Sequence, residues 1–226
     1  MSAKNECYEA LRSRILSLDI APGSDMDEAS LSDAYGLSRT PLREVLQRLA
    51  GEGFVTLAAN RGAKVSSMDL PRMRTFFQTA PLVYAGIARM AAENATVAEI
   101  NALKATQLAF SKTRDGGELA LLNHQFHGQI GQAARNPYLE AALGRMLIDH
   151  TRLSQTFYRP TSAPEAERIR EASDQHDEMI VAFEARDADA ATDVTLRHWD
   201  LSRDSLERFV RPDPLPHDLK ELRDAV

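Results

Sequence analysis

The chain has 226 residues, 43% of them hydrophobic, which is enough for one large or two modest domains with packed cores. A formal net charge of −6 excludes a general nucleic-acid coat protein, whose surface would be strongly basic. The single cysteine, Cys7, excludes an intrachain disulfide framework, no apolar run approaches the roughly 18 residues of a membrane span, and no secretory leader opens the chain. A cytoplasmic chain with no membrane association is the expectation, and the lack of a repeat with a period of about 20 to 50 residues excludes a solenoid.

In chain order, Leu11, Ile15 and Leu18 lie on one stripe of a first helix over 7–18, which Ala21-Pro22-Gly23-Ser24 ends with a turn. A second helix is predicted at about 28–35, closed by Gly36, a residue suited to a left-handed C-cap. A third starts with Ser38 as N-cap and Pro41 in its first turn, carries Leu42, Val45, Leu46 and Leu49 at helical spacing, and ends near Gly51 to Gly53. The other face of its N-terminal end presents Arg39, Thr40 and Arg43, where a helix end already favours anions. Phe54 to Leu57 and Ala63 to Ser66 are β-prone runs joined by a turn that contains Arg61 and Gly62. Helix, helix, turn, helix and hairpin make a winged helix-turn-helix whose third helix would read the major groove. Between Leu37 and Lys64, five basic residues stand against Glu44 and Glu52, a local footprint that suits selective, salt-sensitive DNA binding on an acidic protein.

After Ser67 the β signal all but vanishes. Helices are predicted at about 70–94, 96–113, 116–134, 137–158, 164–186 and 188–209, with breaks at Asp115-Gly116-Gly117, Asn136-Pro137 and 159–164. The fold class is therefore mainly α: an N-terminal winged helix-turn-helix over 1–67, an all-α six-helix bundle over 68–211, and a proline-rich tail over 212–226 that cannot continue a helix.

Helical geometry sorts the histidines by face. Asn123 and His127, four apart, flank the stripe of Leu119, Leu122, Phe126 and Ile130, whereas His124 projects away from it and is expected in solvent. His176 lies within the stripe of Ile169, Ala172, Met179, Ile180 and Phe183; His198 shares a face with Ala191, Val194, Leu201 and Phe209. The tight Arg186-Asp187-Ala188 connection makes these two helices antiparallel neighbours, so both imidazoles can point into one cavity. A lone inward histidine is ordinarily a core residue bonded to a neighbour, but three of them need hydrogen-bond partners or a divalent transition metal. His150 is also inward, with Leu143, Met146, Leu147, Ser154 and Phe157, and is either a core residue or a polar contact for a small effector; Arg145 and Arg152 fall on the opposite face. A histidine-rich site with open coordination positions also fits a hydrolytic metal centre or a metal-storage module, the alternative from another class. No carboxylate on the same inward faces would obviously serve as its general base.

Pro22-Gly23, Leu31, the run Gly36-Leu37-Ser38-Arg39-Thr40-Pro41-Leu42-Arg43-Glu44, then Leu46, Leu49, Glu52-Gly53, Arg61-Gly62 and Val65 resemble the GntR family of bacterial transcription regulators. The helical region resembles the FadR-like subfamily with its FCD ligand-binding domain. That resemblance implies a homodimer on a pseudo-palindromic operator, with Ser38, Arg39, Thr40, Arg43 and Arg61 at the DNA and Gly62 as the wing tip in the minor groove. Ala29 stands where better-studied members carry a further arginine. The resemblance also implies a metal held by Asn123, His127, His176 and His198, with zinc, nickel and manganese all open, and a small carboxylate effector that completes its coordination. Ala80 and Tyr84 stand where the family commonly has an arginine and a glutamate.

Overall fold

The computed structural model describes residues 2–58 and 62–207. Helix α1 (Ala3–Leu16) starts earlier than its apolar stripe suggests, because the Ser2 side chain accepts from the Asn5 amide and caps it. Its buried face is Cys7, Tyr8, Leu11, Ile15 and Leu16; Leu18, expected on that stripe, lies beyond the helix with φ 67° and is 37% exposed. Helix α2 (Glu28–Tyr35) is capped by Asp27 and closed by Gly36 in the left-handed region at φ 61°. Helix α3 (Arg39–Glu52) follows after the three residues Gly36, Leu37 and Ser38. Ser38 has the extended backbone of an N-cap but makes no side-chain cap bond, so its hydroxyl stays outside the helix's own bonding.

Strands β2 (Val55–Ala58) and β3 (Gly62–Val65) form the hairpin, and a third strand, β1 (Asp25–Met26), pairs with the other side of β3 to give the order β1-β3-β2. A two-residue strand carries no periodicity, which is why the sequence shows a two-stranded wing. Pairing Met26 with Ala63 ties the segment that leads into α2 to the hairpin, so both belong to one sheet.

Six helices then make the bundle: α4 (Leu70–Asn94), α5 (Val97–Lys112), α6 (Gly116–Ala133), α7 (Pro137–Phe157), α8 (Ala163–Ala185) and α9 (Ala188–Glu207). Each of α4 to α8 starts from a side-chain cap, at Asp69, Thr96, Asp115, Asn136 and Ser162. No helix among the described residues is long and apolar enough to cross a membrane. Arg61, Phe209 and the 212–226 tail lie outside the described residues.

The two regions meet on α7. Ile148, 1% exposed, is part of the N-terminal core alongside Leu11, Leu42, Leu46, Phe54 and Val65. Arg152, placed on the solvent side by helical geometry, instead has a fully buried side chain, because α7 is covered on that side by the N-terminal region. Its Nη1 donates to the Ser66 carbonyl at 2.8 Å and its Nη2 to Asp149, whose other oxygen accepts from Arg72 Nε at 2.8 Å. Burial presses the Arg152 guanidinium toward its neutral form and the Asp149 carboxylate opposes that shift. Gln155 Nε2 adds a bond to the Leu16 carbonyl at 3.1 Å.

Replacing Arg152 with Met leaves the Asp149 carboxylate, 4% exposed, with one partner fewer and the Ser66 carbonyl without its donor. Removing one member of a buried ion pair costs about 3 kcal/mol or more, so Arg152→Met is expected to lower stability by about that amount in a urea titration. A loss within about 0.5 kcal/mol, the usual range for a surface change, would contradict the arrangement.

Candidate nucleic-acid interface and metal centre

On α3, Leu42, Val45, Leu46 and Leu49 are buried against α1 and the sheet, which turns the opposite face outward. Arg39, Thr40 and Arg43 are exposed on that face, beside the exposed Ser38. Arg43, 65% exposed, is steadied by Glu28 of α2 at 3.2 Å. Glu44 pairs with Lys4 of α1 at 2.9 Å and so orients no arginine of the recognition helix. Arg48 is drawn away from that surface: it lies over the Tyr8 ring at 3.5 Å and pairs with Glu52. Gly62, with φ 75°, permits the close approach of β3 to β1, where a Cβ would lie 3.1 Å from the Met26 carbonyl oxygen. The charged groups left facing outward at the start of α3 are therefore Arg39 and Arg43.

In the bundle, His127, His176 and His198 converge from α6, α8 and α9, with one potential ligand atom from each lying within 4.8 Å of the others. All are buried. His176 Nδ1 donates to Gln107 Oε1 at 3.0 Å, and His198 Nδ1 donates to Gln175 Oε1 at 3.1 Å, since a carbonyl oxygen can only accept. These bonds put the proton on Nδ1 and leave the other ring nitrogen with a free lone pair. Gln107 is itself held by the Ser173 carbonyl and by Asp177. Neither glutamine was singled out from the sequence; the available signal was a polar residue on the buried stripe of α5, four after Leu103.

Two buried ring nitrogens of the cluster, His127 Nε2 and His176 Nε2, have no hydrogen-bond partner in the protein, nor has Asn123 Oδ1 one helical turn before His127 on α6. Leaving each unpaired costs about 1–3 kcal/mol, a large penalty for three atoms in one helical bundle. A cation held by lone pairs would relieve it, so the residues present fit a divalent transition metal. Burial, reinforced by the neighbouring rings, holds His127 and His176 well below the ordinary histidine value, and burial alone brings His198 to about 4, so the imidazoles are in the neutral form that ligation needs.

His150 is buried next to this cluster, with its ring centroid 5.9 Å from that of His127, and its Nδ1 shares a 2.7 Å hydrogen bond with the Tyr84 hydroxyl. Tyr84 also packs edge-on against His127 at 5.3 Å and lies 5.9 Å from Trp199, while Ala80 is buried one turn earlier. His124, expected in solvent, is instead at the contact between the two regions. Arg12 Nη2 donates to its Nε2 at 2.9 Å, and its Nδ1 donates to Thr151 Oγ1 at 2.8 Å, which donates on to the Leu147 carbonyl. Desolvation and the Arg12 charge bring His124 down to about 4. Helical geometry placed it off the α6 stripe but could not show that α1 covers that side.

The buried histidines set the pH behaviour of the metal-free protein. The unfolded chain takes up protons near 6.5, whereas His124 and His198 resist until about 4 and His150 until about 3. Acid therefore favours the unfolded state, by up to about 1.4 kcal/mol per histidine per pH unit in that window. In chelator, the melting temperature is expected to hold above pH 7 and to fall progressively from pH about 6.5 toward 4; a flat profile across that range would rule out neutral burial.

Comparison with known proteins covers both halves of the chain. Residues 3–65 match the family described as bacterial regulatory proteins, gntR family, and residues 82–201 match the FCD domain. The chain is 29% identical over 201 residues to the HTH-type transcriptional repressor GlaR of Escherichia coli (strain K12), covering 84% of this chain and 90% of that protein. It is 29% identical over 126 residues to the Nta operon transcriptional regulator of Aminobacter aminovorans, covering 55% of this chain and only 60% of that regulator's length. The structure of E. coli McbR/YncC superimposes with a TM-score of 0.77 at 17% identity over 93% of this chain and 100% of that one, which establishes the shared fold. These relatives are transcription regulators and not enzymes, which removes the hydrolytic alternative. A DNA-binding winged helix-turn-helix followed by an FCD domain places the chain in the GntR family of bacterial transcription regulators.

Proposed function

We propose that the protein is an effector-responsive repressor that binds a pseudo-palindromic operator as a homodimer and senses a small carboxylate at a metal-containing pocket. The observation that carries the sensing half is the convergence of His127, His176 and His198, with the buried ring nitrogens His127 Nε2 and His176 Nε2 unpartnered and the unpartnered Asn123 Oδ1 one helical turn before His127. In this reading Arg39, Thr40 and Arg43, with Ser38, contact the operator, while Arg61 and Gly62 belong to the wing. GlaR, similar over most of its length, is named a repressor, which favours that sign of control. The DNA-reading unit is taken as 1–67, the sensing and dimerisation unit as 68–211, and 212–226 as a tail.

Asn123, His127, His176 and His198 would hold zinc, nickel or manganese, which when bound supplies a Lewis-acidic seat for a carboxylate. All four donors are neutral, so the site itself brings no charge to offset a dication. The carboxylate effector supplies that charge, and metal and effector are expected to favour each other's binding. Tyr84 and His150, hydrogen-bonded beside the cluster, offer a second polar contact to an effector. His150 precedes Arg152 by two residues on α7, so a ligand that shifts this helix also shifts the Ser66 contact and with it the angle of the recognition helices. Two half-sites on one duplex tolerate little change in that spacing.

Two experiments test the halves separately. On DNA selected by the wild-type chain from a random pool, Arg43→Ala is expected to weaken binding by about tenfold or more in a gel shift at moderate salt, with metal content unchanged; wild-type affinity would refute the recognition-helix assignment. For the metal, native mass spectrometry of His176→Ala should show loss of bound ion, and Asn123→Asp should bind metal about tenfold or more tighter than wild type without effector, in chelator competition, because it adds a negative ligand. Full stoichiometry in His176→Ala would sink the ligand set.

A further inference from the structure

At the end of the bundle where α5 stops and α8 begins lies a cavity of about 370 Å³, lined by Phe110, Arg114, Leu119, Tyr158, Ala166 and Ser173 among others. The α5–α6 and α7–α8 connections come together beside it so closely that a Cβ on Gly116 would lie 2.5 Å from the Tyr158 carbonyl oxygen. Its floor is apolar. Phe110 and Tyr158 meet edge to face at 5.7 Å, and with Leu119 and Ala172 they belong to a small cluster separate from the main core.

Two connections run from this cavity to the histidine cluster. Phe110, which lines the cavity, also packs on His176 with ring centroids 5.0 Å apart, so a single aromatic side chain touches both the cavity and a member of the cluster. Ser173, on the cavity wall, accepts from Gln107 through its carbonyl at 2.8 Å and its hydroxyl at 3.0 Å, and Gln107 in turn accepts the Nδ1 proton of His176. A buried metal site needs a path to solvent, and a floor belonging to a small satellite cluster is cheaper to open than the main core.

We propose that this cavity is the vestibule through which the histidine site exchanges its metal, with Phe110 as the gate between them. The proposal rests on the metal reading above. Motion of one ring opens the passage, and the Ser173–Gln107–His176 chain keeps the cluster's tautomer while it does so. The cavity shares no lining residue with the cleft lined by Arg12 and His124 between α1, α6 and α7.

The sole native thiol, Cys7, is fully buried, so Ala166→Cys places one reactive thiol on the vestibule wall. The folded full-length variant is loaded with zinc after its thiol has been capped with either a methyl group or a bulky fluorescent maleimide, and zinc release into excess chromogenic chelator is followed by stopped flow. The bulky cap is expected to slow release by about tenfold relative to the methyl cap, and Phe110→Ala to accelerate it by about tenfold at unchanged stoichiometry. A loosened fold would only speed release, so the slowing is the diagnostic result. Equal rates for the two caps at full zinc occupancy overturn the vestibule and leave the metal site standing. A wild-type chain that takes up no zinc, nickel or manganese overturns the metal reading, and the vestibule falls with it.

Discussion

The structure depends on one buried charge. Arg152 lies at the centre of a contact that includes the last residues of the winged domain, the first turn of α4 and the middle of α7, and it has no exposure to water. Taking a guanidinium out of water is expensive, and the cost is met only when the partners are in place: a carboxylate from the same helix and a carbonyl from the chain leaving β3. Such a contact has little tolerance for intermediate positions. The link between the domains is therefore set by hydrogen-bond geometry as well as by apolar packing, and displacement of α7 reaches Ser66 directly.

The histidine cluster obeys the opposite rule. There the groups are kept neutral, and what is missing is a partner for their lone pairs. Two glutamines fix the tautomers from behind, and Phe126, stacked on His176 at 4.2 Å, holds its ring in place. These contacts pre-orient the rings, which lowers the ordering entropy to be lost on binding. The buried Arg152–Asp149 ion pair lies at the domain contact and the unpartnered ring nitrogens at the cluster, and α7 borders both.

Much of this was legible in the sequence because the elements are long and strongly periodic. The helices of the bundle, the recognition helix with its apolar and basic faces, and the inward turn of Asn123, His127, His150, His176 and His198 all follow from a 3.6-residue period and from breaks at glycine and proline. What escaped depends on contacts between elements far apart in the chain. A helical wheel shows only that His124 and Arg152 lie off the stripe facing the bundle. It cannot show that α1 and the 66–69 connection cover those sides, which are separated from them in sequence by 112 and 86 residues. Strand β1 escaped because two residues have no period, and the Gln107 and Gln175 supports because a lone polar residue on an apolar stripe has no distinguishing pattern.

Ile148 belongs to α7 by sequence and to the winged domain by packing, where it fills the core among Leu11, Leu46 and Phe54. The boundary drawn along the chain and the boundary drawn through the hydrophobic interior are thus not the same. Winged helices are commonly treated as interchangeable heads that evolution can graft onto any sensor. Here the head borrows part of its interior from the sensor, so a graft would need a matching side chain at this one position of the recipient helix. Recombination between relatives is then constrained by the fit at residue 148 as much as by the compatibility of operator and effector.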